Sequence, residues 1–237
     1  MTKKINSKFL KLIKYYSLIN YNLVYDKKSI NRYKNNISNS KGNKAELLKN
    51  LSDSINKIKN CELKKSATNQ VFADGDFNSK IMIIGEGPGS NEDKEGLPFV
   101  GRAGQLLDKM LQSINLDRKN VYITNVVNYR PPENRRPTDN EIKKYFPYLE
   151  KHIELINPKI LILLGSTALN TIIGNEEVIS KARGKWFARK IGKCSTLIIA
   201  SFHPAFLMRQ PEQKKFSWID LKMIKKKISE LKIKIEK

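Results

Sequence analysis

The 237-residue chain is poor in the two side chains that most often hold metals, with two cysteines and two histidines. Cys61 and Cys194 stand far apart, so neither a disulfide framework nor the paired spacing of a zinc site is readable. A reducing, cytoplasmic setting is the expectation. Long apolar runs are also missing; none approaches the roughly 20 residues of a membrane span. Lys11 and Lys14 interrupt the apolar stretch near the N-terminus, which therefore lacks a signal-peptide core. Acid is the last shortage: 23 Asp and Glu face 45 Lys and Arg, a formal net charge of +22. The excess runs through the whole chain rather than sitting in one detachable tail. A polyanion, with DNA or RNA first, suits such a surface. A general drift toward Lys, Asn, Ile and Tyr gives the same sum, so charge alone favours nucleic acid only slightly.

What is present is concentrated between Gly85 and Leu107, GEGPGSNEDKEGLPFVGRAGQLL, directly after the apolar run Ile81–Ile84. Gly85, Gly87 and Gly89 remove three Cβ atoms from five residues, which lets another group approach the backbone closely. The loop carries Glu86, Glu92, Asp93 and Glu95 rather than lysine, so it points to bond-breaking chemistry and away from a phosphate cradle. A dinucleotide fingerprint is disfavoured. The spacing is G-x-G-x-G-S, Pro88 sits where the helix should open, and the next strand ends in Asn125 instead of an acid.

Residues 1–44 read as a basic, partly helical extension, with a helix near 6–20 and a linker over 29–43. Residues 45–237 read as one globular domain that opens on an amphipathic helix over 45–59. Four apolar runs follow, Ile81–Ile84, Val121–Val127, Ile160–Leu164 and Leu197–Ser201. Helical patterns lie between them, Gly104–Ile114, Asp139–Ile156 and Thr167–Ile173, and a basic helix over Trp218–Ile235 closes the chain. This alternation predicts an α/β fold, a three-layer α/β/α sandwich around a four-stranded parallel sheet. Sites in such sheets form at the carboxyl ends of the strands. Glu86, Glu92, Asn125, Ser166 and His203 all fall there.

Each of these residues has a plain reading beside the functional one. Asn125 suits the hydrogen-bonding edge of a base, or caps a turn. His203 precedes Pro204, which holds it extended on a loop and favours catalysis. His152, inside a charged helix, is read as solvated. Phe99 stacks on a planar ring or pins the loop to the core. Phe206 and Leu207, with Arg209, suit a wedge pushed into a base stack, or start a buried helix. Arg130, Arg135 and Arg136 lie in the stiff loop PPENRRP, which suits a phosphate backbone, as it would an ordinary exposed loop.

The glycine-rich block, the segment TNVVNYRPPENRRPT and HPAFLMRQ together resemble the family 4 uracil-DNA glycosylases. The likeness covers about 60–225, with the three motifs in order. It implies a monofunctional enzyme that flips uracil out of single- or double-stranded DNA and hydrolyses its N-glycosidic bond to begin base-excision repair, acting as a monomer. The resemblance assigns Glu86 as the acid near the scissile bond, Glu92 as a second catalytic acid lining that loop, and His203 to the uracil carbonyl. Phe99 stacks on uracil and Asn125 reads its edge, with Gly87 and Ser166 beside them. Arg130, Arg135, Arg136, Pro204, Phe206, Leu207 and Arg209 face DNA. Typical members hold a 4Fe-4S cluster with four cysteines. Cys61 matches the first, whereas Lys64, Tyr129 and Tyr145 occupy the others, so no cofactor and no metal are expected. The alternative is a non-catalytic DNA-binding module of the same fold, tied to replication.

Overall fold

A computed structural model describes residues 40–174 and 177–235. The helix expected near 6–20 and most of the basic extension lie outside the described residues. Helix α1 (Ser40–Asn56) and the short α2 (Glu62–Ser66) lead into the sheet. In chain order there follow β1 (Asp74–Gly75), β2 (Ile81–Gly85), α3 (Ser90–Glu95), α4 (Arg102–Gln112) and β3 (Tyr122–Asn125). Then come α5 (Asp139–Ile156), β4 (Ile160–Leu164), α6 (Ser166–Ile172) and α7 (Ile179–Ala182). The chain continues through β5 (Trp186–Ile191), β6 (Cys194–Ser201), α8 (Pro204–Arg209) and α9 (Lys214–Glu230).

The strand order is β1-β3-β2-β4-β6-β5. The inner four are parallel, as the apolar runs predict, because β2 pairs with β3 and β4, and β4 with β6. Every residue of β2 and β4 is buried, so both faces of the sheet are covered. Met82, Ile84, Leu161 and Leu163 join one core cluster with Leu51 and Ile153, from α1 and α5. Ile81, Ile83, Ile160 and Ile162 join the other with Leu107 and Ile224, from α4 and α9. Each such buried side chain contributes about 1.5–3 kcal/mol relative to exposure.

Two edge strands were not expected. β1 is two residues long and antiparallel to β3, and β5 is antiparallel to β6. The middle of β5, Ala188-Arg189-Lys190, is exposed, which leaves little apolar alternation to read. Helix α5 matches its expected bounds because its cap is explicit in the sequence. Thr138 accepts the Glu141 amide at 3.3 Å, and the Glu141 carboxylate accepts the Thr138 amide at 2.7 Å. His152, on this helix, corrects its sequence reading. It is buried and stacked on Phe72 at 4.5 Å, and it shares a 2.9 Å hydrogen bond between Nε2 and the Tyr122 hydroxyl. Burial holds its pKa down near 3, so it is a neutral core residue. Charged neighbours on the helix concealed an inward position.

Candidate active site

Parallel register brings the distant residues together. Gly85 pairs with Asn125 across β2 and β3, and Leu164 pairs with Ser201 across β4 and β6. The residues that follow, Glu86, Ser166, Thr167 and His203, therefore leave the sheet at one edge. A cavity of about 170 Å³ opens there, lined by Glu86, Gly87, Glu92, Phe99, Asn125 and His203. That is well above the roughly 10–15 Å³ that one water needs on the same measure. Pro131, Asn134 and Arg135 close another side. A Cβ on Gly85 would lie 2.5 Å from both Asn125 Oδ1 and Phe99 Cζ, so glycine there admits both side chains.

Asn125 is 3% exposed, and its Oδ1 is buried without a hydrogen-bond partner among the described residues. An unsatisfied buried acceptor costs about 1–3 kcal/mol, so this atom marks a place for a donor. His203 caps α8, its Nδ1 accepting the Ala205 amide at 3.2 Å. A ring nitrogen that accepts carries no proton, which leaves the proton of the neutral ring on Nε2. Burial, and then the Arg209 charge, lower the His203 pKa from 6.5 to about 4, against an opposing effect of Glu92. At neutral pH the ring is thus an uncharged Nε2–H donor.

Phe99 is buried and lies against the His203 ring, with centroids 5.5 Å apart and planes inclined by 29°. Its backbone is left-handed at φ 55, an arrangement that costs a non-glycine residue on the order of 1 kcal/mol or more.

The two acids of the glycine-rich loop behave differently. Glu86 Oε2 accepts a short hydrogen bond from the Thr167 hydroxyl and lies 4.0 Å from Arg136 Nε. Glu92 is committed to backbone. Oε2 accepts the Gly89 amide at 3.1 Å, and Oε1 accepts the Val100 and Gly101 amides at 3.0 and 2.8 Å. It staples both ends of the loop, and these three hydrogen bonds fix its carboxylate in the cavity wall. Thr167 carried no strong sequence signal; its place beside Ser166 after a strand was the only clue.

The residues expected to face DNA separate into two groups. Arg136 is open to solvent, its side chain 76% exposed beside its 4.0 Å approach to Glu86. Arg209 is exposed and lines the same groove as Arg136, and the Arg130 Nε donates to Asn134 Oδ1 at 2.8 Å. Ser166 lines a groove of about 500 Å³ beside the cavity, with Arg136, Phe206 and Arg209, rather than the cavity itself. Arg135 is exposed but already paired within the chain, forming a two-pronged ion pair with Glu141 at 2.8 and 2.7 Å. Phe206 is half-buried against Phe202 at 5.0 Å. Leu207 is 1% exposed and Pro204 is buried, so α8 turns these two inward and leaves Phe206 on its more open side.

The pattern of the Uracil DNA glycosylase superfamily matches residues 72–224. The chain is 39% identical over 183 residues to the Type-4 uracil-DNA glycosylase of Sulfurisphaera tokodaii, covering 75% of this chain and 83% of that one. It is 41% identical over 168 residues to the Type-4 uracil-DNA glycosylase of Thermotoga maritima, covering 69% and 84%. It is also 33% identical over 151 residues to the DNA polymerase of Bacillus phage SP01, covering 63% of this chain and 16% of the polymerase.

These relatives correct the expectation of no cofactor, because the type-4 enzymes are the family to which a 4Fe-4S cluster belongs. The donors in this chain do not fit the family's four-thiolate set. Cys61 Sγ lies 3.1 Å from the Tyr145 hydroxyl, and the Tyr129 hydroxyl donates to Asn56 Oδ1. Lys64 donates to the Asn56 carbonyl, and burial raises the pKa of both phenols. Among the described residues no three His, Cys, Asp or Glu side chains group as metal ligands. No chemical step below passes through a cluster.

Proposed function

The chain belongs to the type-4 branch of the uracil DNA glycosylase superfamily, hydrolases of N-glycosyl bonds that act on DNA in repair, and from that premise we propose how its pocket releases uracil. The observation that carries the reading is Asn125, which lines a cavity with room for one planar ring and whose buried Oδ1 has no hydrogen-bond partner among the described residues. Uracil offers N3–H as a donor to that atom. Cytosine presents an unprotonated N3 there, so two acceptors would meet and the wrong base is rejected. Phe99 supports the ring face.

Stacked bases cannot enter such a cavity, so the nucleotide swings out of the helix first. Arg136 and Arg209 hold phosphates, and Phe206 fills the space left behind. As the C1′–N1 bond lengthens, the sugar becomes cationic and the electron pair moves into uracil. The negative charge gathers on the carbonyl oxygens. His203 Nε2–H donates to the oxygen beside N1, and a neutral donor suits this task because it keeps its proton. Glu86, held at Oε2 by Thr167, orients a water toward C1′ and stabilises the sugar cation. Water adds at C1′ and passes its proton to Glu86, and the uracil anion takes up a proton from solvent, so the products are uracil and an abasic site. A monomeric, cytoplasmic enzyme active on single- or double-stranded DNA fits this reading; among the described residues no helix is long and apolar enough to cross a membrane.

A second reading keeps the fold and drops the chemistry, as a DNA-binding module of replication. The phage polymerase favours it, since a homologous segment there is one part of a larger polymerase. An oligonucleotide carrying one uracil, followed by alkali, separates the two. Strand scission that is lost in Glu86→Gln and His203→Ala supports the enzyme. Binding without scission supports the module.

A further inference from the structure

We infer that Arg118, in the loop before β3, is a positioning residue that sets the Phe99 platform. Its guanidinium joins four acceptors from three separate segments. Nη1 donates to Asp74 Oδ2 at 2.6 Å and to the Pro98 carbonyl at 3.0 Å. Nε donates to Asp108 Oδ1 at 2.9 Å, and Nη2 donates to the Phe99 carbonyl through a short bond. Asp74 comes from edge strand β1 and Asp108 from α4. Phe99 is the one residue of this set with a left-handed backbone, at φ 55, and its own carbonyl is the atom clasped. Gly104 completes the seat: a Cβ there would stand 1.6 Å from the Phe99 carbonyl oxygen. On the far side of the same turn, Glu92 holds the Val100 and Gly101 amides. The turn is therefore gripped at its carbonyls by Arg118 and at its amides by Glu92. Its ring is fixed beneath the cavity by contacts made some distance from the base.

The fork geometry matters more than the charge. Two aspartates alone could be neutralised by lysine, but an ammonium cannot reach two carboxylates and two successive carbonyls in one plane. The two-residue strand β1 thereby gains a purpose, since it delivers Asp74 to this junction.

The inference rests on the reading of Phe99 as the uracil platform, and the test separates the two. Free uracil is titrated as a competitive inhibitor of the unmodified protein, Arg118→Lys, Arg118→Met and Gly104→Ala, with kcat and KM measured on a uracil-containing oligonucleotide. Each variant is also made in a Phe99→Leu background. We expect Arg118→Lys to weaken free uracil by about tenfold and to raise KM more than it lowers kcat. Its effect should shrink to within about twofold once Phe99 is gone, because the two act through one contact. Gly104→Ala should reproduce the pattern independently, which keeps the test decisive if Arg118→Met fails to fold. Equal uracil inhibition in a folded Arg118→Lys, or additive effects in the Phe99→Leu background, would overturn the positioning role. Absence of uracil inhibition and release in the unmodified protein would overturn the platform reading itself, and this inference with it.

Discussion

Two phenylalanine–histidine pairs occupy this molecule, and their difference separates a core from a site. Phe72 and His152 stack at 4.5 Å with planes inclined by 12°, and Phe99 and His203 stack at 5.5 Å with planes inclined by 29°. Both imidazoles are held neutral by burial. In the first pair the hydrogen bonding is closed, because Nε2 meets the Tyr122 hydroxyl at 2.9 Å. In the second the backbone takes Nδ1, and the ring lines a cavity together with Asn125, whose buried Oδ1 has no partner among the described residues. Burial and ring contact alone thus do not identify function. A cavity lined by an available donor and by an amide with an unpaired acceptor does.

The sharpest way to break this contrast is to exchange the consequences. His203→Ala and Glu86→Gln should each lower single-turnover uracil release by about 10²–10³-fold, the scale of a lost oxyanion donor. The thermal midpoint should move little for Glu86→Gln, while His203→Ala should also lose about 0.5–2 kcal/mol with its cap on α8. His152→Ala should do the reverse. It removes a packed core ring and leaves the Tyr122 hydroxyl unpaired, costing about 2–5 kcal/mol in denaturant unfolding with kcat changed less than a few-fold. If His152→Ala abolished release in a folded protein, the two pairs would not differ as described.

Acid should act on both pairs in order. The folded pKa values lie below the ordinary 6.5, at about 4 for His203 and about 3 for His152. The unfolded chain therefore takes up these protons first as pH falls. Stability from both groups is intact above about 6.5, declines as pH falls below it, and is lost through about 4 and then about 3. Urea midpoints across pH 3 to 7 check this, and His152→Phe should flatten the decline. The smallest effect belongs to Glu92→Gln. An amide keeps one acceptor for Val100 and Gly101 but turns a donor toward the Gly89 amide, so about 1–2 kcal/mol of stability is expected to go. Uracil release should fall less than for Glu86→Gln, measured under the same single-turnover conditions.

The sequence made the sheet legible because Ile81–Ile84 and Ile160–Leu164 are apolar on both faces, which only a doubly covered parallel strand requires. The site was legible for the same reason: strand ends in such a sheet converge, so Glu86, Asn125 and His203 could be grouped across more than a hundred residues. What escaped depends on orientation rather than residue type. Glu92 and Glu86 look alike in the chain, yet one faces three amides and the other a hydroxyl. Leu207 and Phe206 are adjacent, and a single helical step decides which is buried. Thr167 and Arg118 act through partners 81 and 19 residues away, a relation that no local pattern carries.

The most direct test concerns the acceptor of Asn125. Single-turnover release is compared for oligonucleotides carrying uracil and N3-methyluracil, using the unmodified protein and Asn125→Ala. A missing N3–H donor should slow the unmodified protein by about a hundredfold or more. Asn125→Ala, with no acceptor to satisfy and more room, should process both bases within a few-fold of each other. An unchanged ratio between the two bases in Asn125→Ala would show that the orphaned oxygen does not read the base.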